Sequence, residues 1–99
     1  MESASSPPPK LAVVVRDDLA PWQELNVTAF VVSGIGTRRP DVIGEPYRDA
    51  SGAAYLPMFG HPVLVYAASA AGMARAFGRA AARGLDMAVY TDDLFGTSN

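Results

Sequence analysis

The side chains best able to do chemistry are two acidic pairs, Asp17-Asp18 and Asp92-Asp93, each just behind an apolar run. Carboxylates so placed can move a proton or hold a hard cation such as Mg²⁺. If both runs are strands ending on the same side, the four acids face one crevice. A plainer use of Asp17 or Asp18 is to cap or charge the start of the helix that follows, where the helix dipole favours an acid. Glu24, near the same helix start, has the same plain explanation. Asn26 stands among apolar helical neighbours and is costly if buried without partners. It either bonds to nearby backbone or lines the crevice. His61, the sole imidazole, can serve as a general base or simply sit at the entry of a strand. With no second histidine and no cysteine, no transition-metal site is expected.

These residues need elements to position them. Leu11 to Val15 is five apolar residues without alternation, the pattern of a strand covered on both faces, and ligands in α/β sheets gather just beyond such carboxyl ends. Pro21 opens a helix in which Trp22, Leu25, Ala29 and Val32 form an apolar stripe, with Val27, Phe30 and Val31 adding surface on other sides. That predicts a helix buried over much of its circumference, ended by Gly34 and Gly36. Thr37 to Glu45 reads as loop. Asp49-Ala50-Ser51-Gly52 is a turn signal between Tyr47 and Tyr55, giving a short hairpin. Tyr47, Tyr55 and Phe59 can line an apolar pocket, although core packing is their more ordinary use. Pro62 to Ala67 is a second buried-type strand. Ser69 caps a helix over Ala70–Arg83 with Met73, Phe77 and either Ala80 or Ala81 facing inward, stopped by Gly84. Met87 to Tyr90 is read as a third core strand.

Ninety-nine residues allow one domain, here 10–99, behind a polar, proline-ended leader (1–9) expected to be disordered. A net charge of −2 disfavours general nucleic-acid binding. The absence of cysteine removes thiol catalysis and zinc–thiolate sites. Arg75, Arg79 and Arg83 make one basic stripe that could meet phosphate or RNA, although a solvated helix face explains it more cheaply. Gly34, Gly36 and Gly44 lack the strand–loop–helix order of a phosphate-binding loop, so no cofactor is expected. With neither a membrane span nor a signal peptide, a cytoplasmic location is expected.

Two blocks carry a family resemblance. VVVRDDL (Val13 to Leu19) resembles the first-strand motif of type II peptidyl-tRNA hydrolases, and GHPVLVYAA (Gly60 to Ala68) resembles their second strand. Ala80 with Gly84-Leu85, and Asp93-Leu94-Phe95-Gly96-Thr97, are similar in order and spacing. Trp22-Gln23, Leu25-Asn26 and Tyr55-Leu56-Pro57-Met58 look closer still to a side branch, the domain-of-unknown-function-two-thousand family. The resemblance implies an α/β fold of layered α/β/α type with a small mixed sheet, in which one more strand ends the sheet. Nothing after Thr97 can supply that strand, so the sequence reads as cut short, with an exposed sheet edge that invites pairing with another copy or chain.

The resemblance also implies a lysine and a histidine on the first helix. This chain has only Lys10, before the first strand, and His61, well after the helix; Gln23, Glu24, Leu25 and Asn26 stand there instead. Two readings follow. One is a non-hydrolytic binding domain for an unknown small molecule or protein, with its crevice at Asp17, Asp18, Asn26, His61, Asp92, Asp93 and Thr97. The other is a divergent hydrolase acting on an ester or amide, using Asp18, Asp93, Thr97 and His61.

Overall fold

The computed structural model describes residues 9–95, and for Asp93 and Phe95 the backbone only. Apart from Pro9, the leader lies outside the described residues, as does Thr97.

The apolar run Leu11–Arg16 forms β1, and Val63–Ala68 forms β4, which lies parallel beside it. Their register pairs Leu11 with Val63 at one end and Arg16 with Ala68 at the other. Between them lie helix α1 (Pro21–Arg38), a 3-10 turn (Pro40–Val42) and a small hairpin, β2 (Tyr47–Arg48) with β3 (Ala54–Tyr55). Helix α2 (Ala70–Ala82) follows β4, and a single turn, α3 (Asp92–Phe95), closes the described chain. The molecule is a small α/β fold with both parallel and antiparallel strand pairs and two substantial helices. None of its helices, among the described residues, is long and apolar enough to cross a membrane.

The core is centred on β1. Val13 and Val15 are each 5% exposed and pack against Val27 of α1, with Leu19, Val31 and Val32 around them. Val27 is the buried residue of α1, with Val31 and Val32 partly buried beside it, so of the Trp22–Leu25–Ala29–Val32 line predicted from spacing only Val32 packs against the core. Trp22 and Leu25 are largely exposed. The expectation of a helix buried on most sides fails for a geometric reason: α1 rests on β1, and the face it turns away from β1 has no cover among the described residues.

Helix α1 also runs through both of its glycines to Arg38. Gly34 serves packing here rather than termination. A Cβ at that position would stand 2.9 Å from the Cβ of Ala88. The first helix thus needs a bare backbone where Leu85–Tyr90 lies against it. That stretch contains the predicted third strand, Met87–Tyr90, which pairs with no strand among the described residues. It is held instead by side chains on α1: Phe30 and Tyr90 meet edge to face at 5.5 Å.

The remaining turns follow their sequence signals. Ser69 accepts a hydrogen bond from the Gly72 N–H at 3.1 Å, capping α2. Gly84 takes a positive φ of 66° just beyond its end. In the hairpin, one Asp49 carboxylate oxygen accepts from the Ser51 and Ala53 N–H groups and the Ser51 hydroxyl, and the other accepts from the Tyr55 hydroxyl. At the hairpin's base, Gly44 donates to Met58 and Gly60 donates to Val42, at 2.7 and 2.8 Å. The two glycines nearly touch: a Cβ on either would be 3.1 Å from the other's Cα. Tyr47 and Tyr55 pair with each other on the surface, so of the three aromatic residues only Phe59 turns inward.

Candidate functional site

Parallel pairing of β1 and β4 gives the domain two distinct ends. At the carboxyl end, Arg16 donates to Asp18 in an ion pair of 2.6 Å. Asp17 uses its N–H to extend the ladder, donating to the Ala68 carbonyl at 2.9 Å, while its side chain is exposed. Neither aspartate caps α1. The N-cap is Ala20, whose N–H is taken by the Gln23 side chain at 2.9 Å. Asn26 resolves its two alternatives in favour of a distant partner: its amide donates to the Tyr90 hydroxyl at 3.2 Å. Tyr90 and Asp92 then border the same space as Asp18 and Gln23.

That space is a cavity of about 790 Å³ running the full length of β1. Its other walls are Val27, Val31 and Ile35 of α1, Met73 and Phe77 of α2, and the Leu85–Tyr90 stretch. At its amino end it is bordered by Lys10, Arg39 and Asp86. Arg39 bridges Asp41 at 2.7 Å and Asp86 at 3.4 Å, tying the end of α1 to the start of the far wall. The hydrogen bonds to Asp41 are the main reason the Arg39 pKa is raised, and the Arg39 guanidinium in turn holds the Asp41 carboxyl below its usual range. His61 adds a smaller charge effect on Asp41, which places it in this amino-end group.

The two ends are far apart. From the Leu11–Val63 pair to the Arg16–Ala68 pair is five steps, roughly 17 Å at about 3.3 Å per residue. Lys10 and His61 both precede that span, so neither reaches the acidic end. The predicted crevice is therefore split. Asp18 follows the carboxyl end of β1 and borders the cavity, as do Asp92 and the Tyr90 that holds Asn26, while the Asp17 side chain is exposed. His61 belongs to the opposite end. The side chain of Asp93 and all of Thr97 fall outside what is described. No group of three or more metal-binding side chains exists among the described residues, so the Mg²⁺ expectation finds no assembled site there.

Gln23 and Tyr90 are site residues that the sequence did not single out, whereas Arg16 stands with Asp17 and Asp18 among the charges expected beyond the first strand. Gln23 carried a weak signal, standing three residues into a helix with no capping side chain. Tyr90 carried none, because its partner Asn26 is 64 positions away. Chemically, the carboxyl end offers an amide, a phenol, one carboxylate neutralised by arginine and a second at Asp92. That set can hold a polar ligand by hydrogen bonds. It brings no imidazole or lysine to a hydroxyl or water.

Comparison with known proteins agrees with the fold. No curated protein matches the chain. A solved structure, that of the protein of unknown function Atu0240 from Agrobacterium tumefaciens strain C58, is 41% identical with a TM-score of 0.84. The match covers 91% of this chain and 67% of that one, so about a third of the Agrobacterium chain lies outside the match. Residues 9–99 fit the sequence family described as "Protein of unknown function (DUF2000)", and the chain belongs to that family.

Proposed function

We propose that this domain is a binding module on a type II peptidyl-tRNA hydrolase-like frame, short of that frame's last strand, and that it does not cleave peptidyl-tRNA. The observation that carries the reading is the separation of the two ends. Ester cleavage needs a group that activates water and donors for the developing oxyanion within reach of one carbonyl. The only lysine and the only imidazole precede β1 and β4, whose paired length of roughly 17 Å separates them from the carboxyl end that Asp18 follows. The divergent-hydrolase reading loses His61 by the same geometry. What remains at the carboxyl end suits recognition: Asn26 and Tyr90 already fix each other's orientation, and the Asp92 carboxylate borders the cavity beside them.

The test is incubation with N-acetylated aminoacyl-tRNA, with an authentic peptidyl-tRNA hydrolase as positive control. The expected outcome is no release of the acyl-amino acid above the buffer rate. Turnover that Asp18→Ala or Asp93→Ala abolishes would overturn the reading.

A further inference from the structure

β4 has an outer edge, facing away from β1, and the backbone there is open. In a parallel ladder both backbone groups of a residue point to one side of the strand, and successive residues alternate sides. Asp17 donates to the Ala68 carbonyl, so Ala68, Tyr66 and Leu64 bond toward β1. Val63, Val65 and Ala67 therefore turn their N–H and C=O outward, where no strand pairs with β4 among the described residues. Edges of this kind are ordinarily guarded by a lysine, a proline or a bulge. Val63–Ala68 contains neither lysine nor proline, and its six pairs with β1 run without a bulge. Both faces of the edge are apolar as well. Val65, in register with Val13, lies on the α1 face in a shallow corner with Leu25 and Thr28, while Leu64 and Tyr66 lie on the opposite face.

We propose that β4 pairs antiparallel with β4 of a second copy of this chain, about a two-fold axis at Val65, so that one sheet runs through both molecules. The strand is complementary to itself in that register. Val65 meets Val65 of the partner subunit, and Val63 meets the partner's Ala67, as hydrogen-bonded pairs that use every outward backbone group. Leu64 then stands opposite the partner's Tyr66 at the closer, non-hydrogen-bonded spacing, an aliphatic–aromatic pair on each side of the axis. No charged residue lies on the strand, so the symmetry sets no like charges opposite each other. Leu25, Leu64, Val65 and Tyr66 are 72, 50, 57 and 52% exposed. With Ala67 and the outward backbone they offer roughly 500 Å² on each copy, about 1,000 Å² in all, enough for a specific interface of the weak class. The expected product is a dimer that dissociates on dilution. This edge is independent of what the carboxyl end of the strands binds and of whether it cleaves anything.

Sedimentation over a range of concentrations is the first test: the protein is expected to pass from monomer to dimer with a midpoint of roughly 10–100 μM. Hydrogen exchange at the Val65 and Ala67 amides is expected to slow at least threefold from the dilute to the concentrated end of that range. The chain has no cysteine, so single cysteines report the register. Val65→Cys brings two thiols together at a pair whose Cα atoms are about 5.5 Å apart, within disulfide reach, whereas Ala67→Cys leaves them four residues, roughly 13 Å along the strand, from each other. The first variant is expected to oxidise to a linked dimer at least tenfold faster than the second. Both positions are exposed, so neither change opens the core. Should either variant not fold, exchange in the parent protein decides. A protein that stays monomeric throughout, cysteine variants that link equally fast, or a dimer whose Val65 and Ala67 amides stay unprotected overturns the proposal. So does a monomer in which those amides are already protected, which would make the protein's own chain the cover.

Discussion

β1 and β4 are adjacent, parallel and six residues long, and both are strongly apolar, yet they live in different surroundings. Val13 and Val15 of β1 are 5% exposed, whereas Val65, the register partner of Val13, is like Leu64 and Tyr66 at least half exposed. The helices repeat the contrast: α1 buries Val27 on β1, while α2 buries no residue fully. The domain thus has a covered half, β1 with α1, and an open half, β4 with α2. An unbroken apolar run states what cover a strand requires. It does not state that the cover lies within the same 99 residues.

The contrast is sharpest in a matched pair of truncations. Val13→Ala removes two buried methyl groups and leaves a cavity, and is expected to cost about 2 kcal/mol of unfolding free energy in urea. Val65→Ala on the open strand is expected to cost under about 1 kcal/mol, the loss of strand propensity alone. Equal losses would erase the distinction between the halves. Glycine substitutions in the two helices should differ in sign. Gly34→Ala meets Ala88, and an overpacking cost of about 1–3 kcal/mol exceeds the gain of about 1 kcal/mol in helix propensity. Gly78→Ala, with nothing within 4 Å of the new methyl group, keeps that gain and should raise the midpoint. A stabilised Gly34→Ala would mean that Leu85–Tyr90 does not press on α1.

The smallest effect belongs to the hairpin, which depends on polar bonds rather than on either half. Hydrogen bonds from Ser51, and then from Ala53 and Tyr55, hold the Asp49 carboxyl below its usual range. A carboxyl lowered in the folded state stabilises above its unfolded pKa, and that contribution fades as pH falls through the lowered value. Exchange protection of the Ala53 amide should therefore stay level from neutral pH to about 4 and decline below it, and Asp49→Asn should flatten that decline. A profile identical in parent and variant would show that the carboxylate does not hold the turn.

Much of the fold was legible because its signals are local. The β1 and β4 runs, the Ser69 cap, the Gly84 stop and the Asp49–Gly52 turn each act within a few residues. What was not legible depends on non-local contact. Gly34 looks like a helix terminator until Ala88 is placed against it. Trp22 and Leu25 share a helical period with Val32, but the direction of β1 decides which stripe is buried. Met87–Tyr90 has strand composition and lacks a neighbour to pair with. At the site, the strand register alone separates His61 from Asp18, and no spacing in the sequence encodes the Asn26–Tyr90 bond. Membership of the DUF2000 family could thus be read from motifs, whereas the split of the crevice needed the pairing of β1 with β4.

The near contact of Gly44 and Gly60 has one more implication. Where two backbones cross that closely, the chain leaving for the hairpin and the chain returning from it are fastened together before β4 begins. The strand's starting point is then fixed by the crossing rather than by whatever happens between its two arms. Relatives can lengthen, shorten or redecorate the excursion from Glu45 to Pro57 without sliding the parallel pair, which frees that finger to diversify while the sheet stays put.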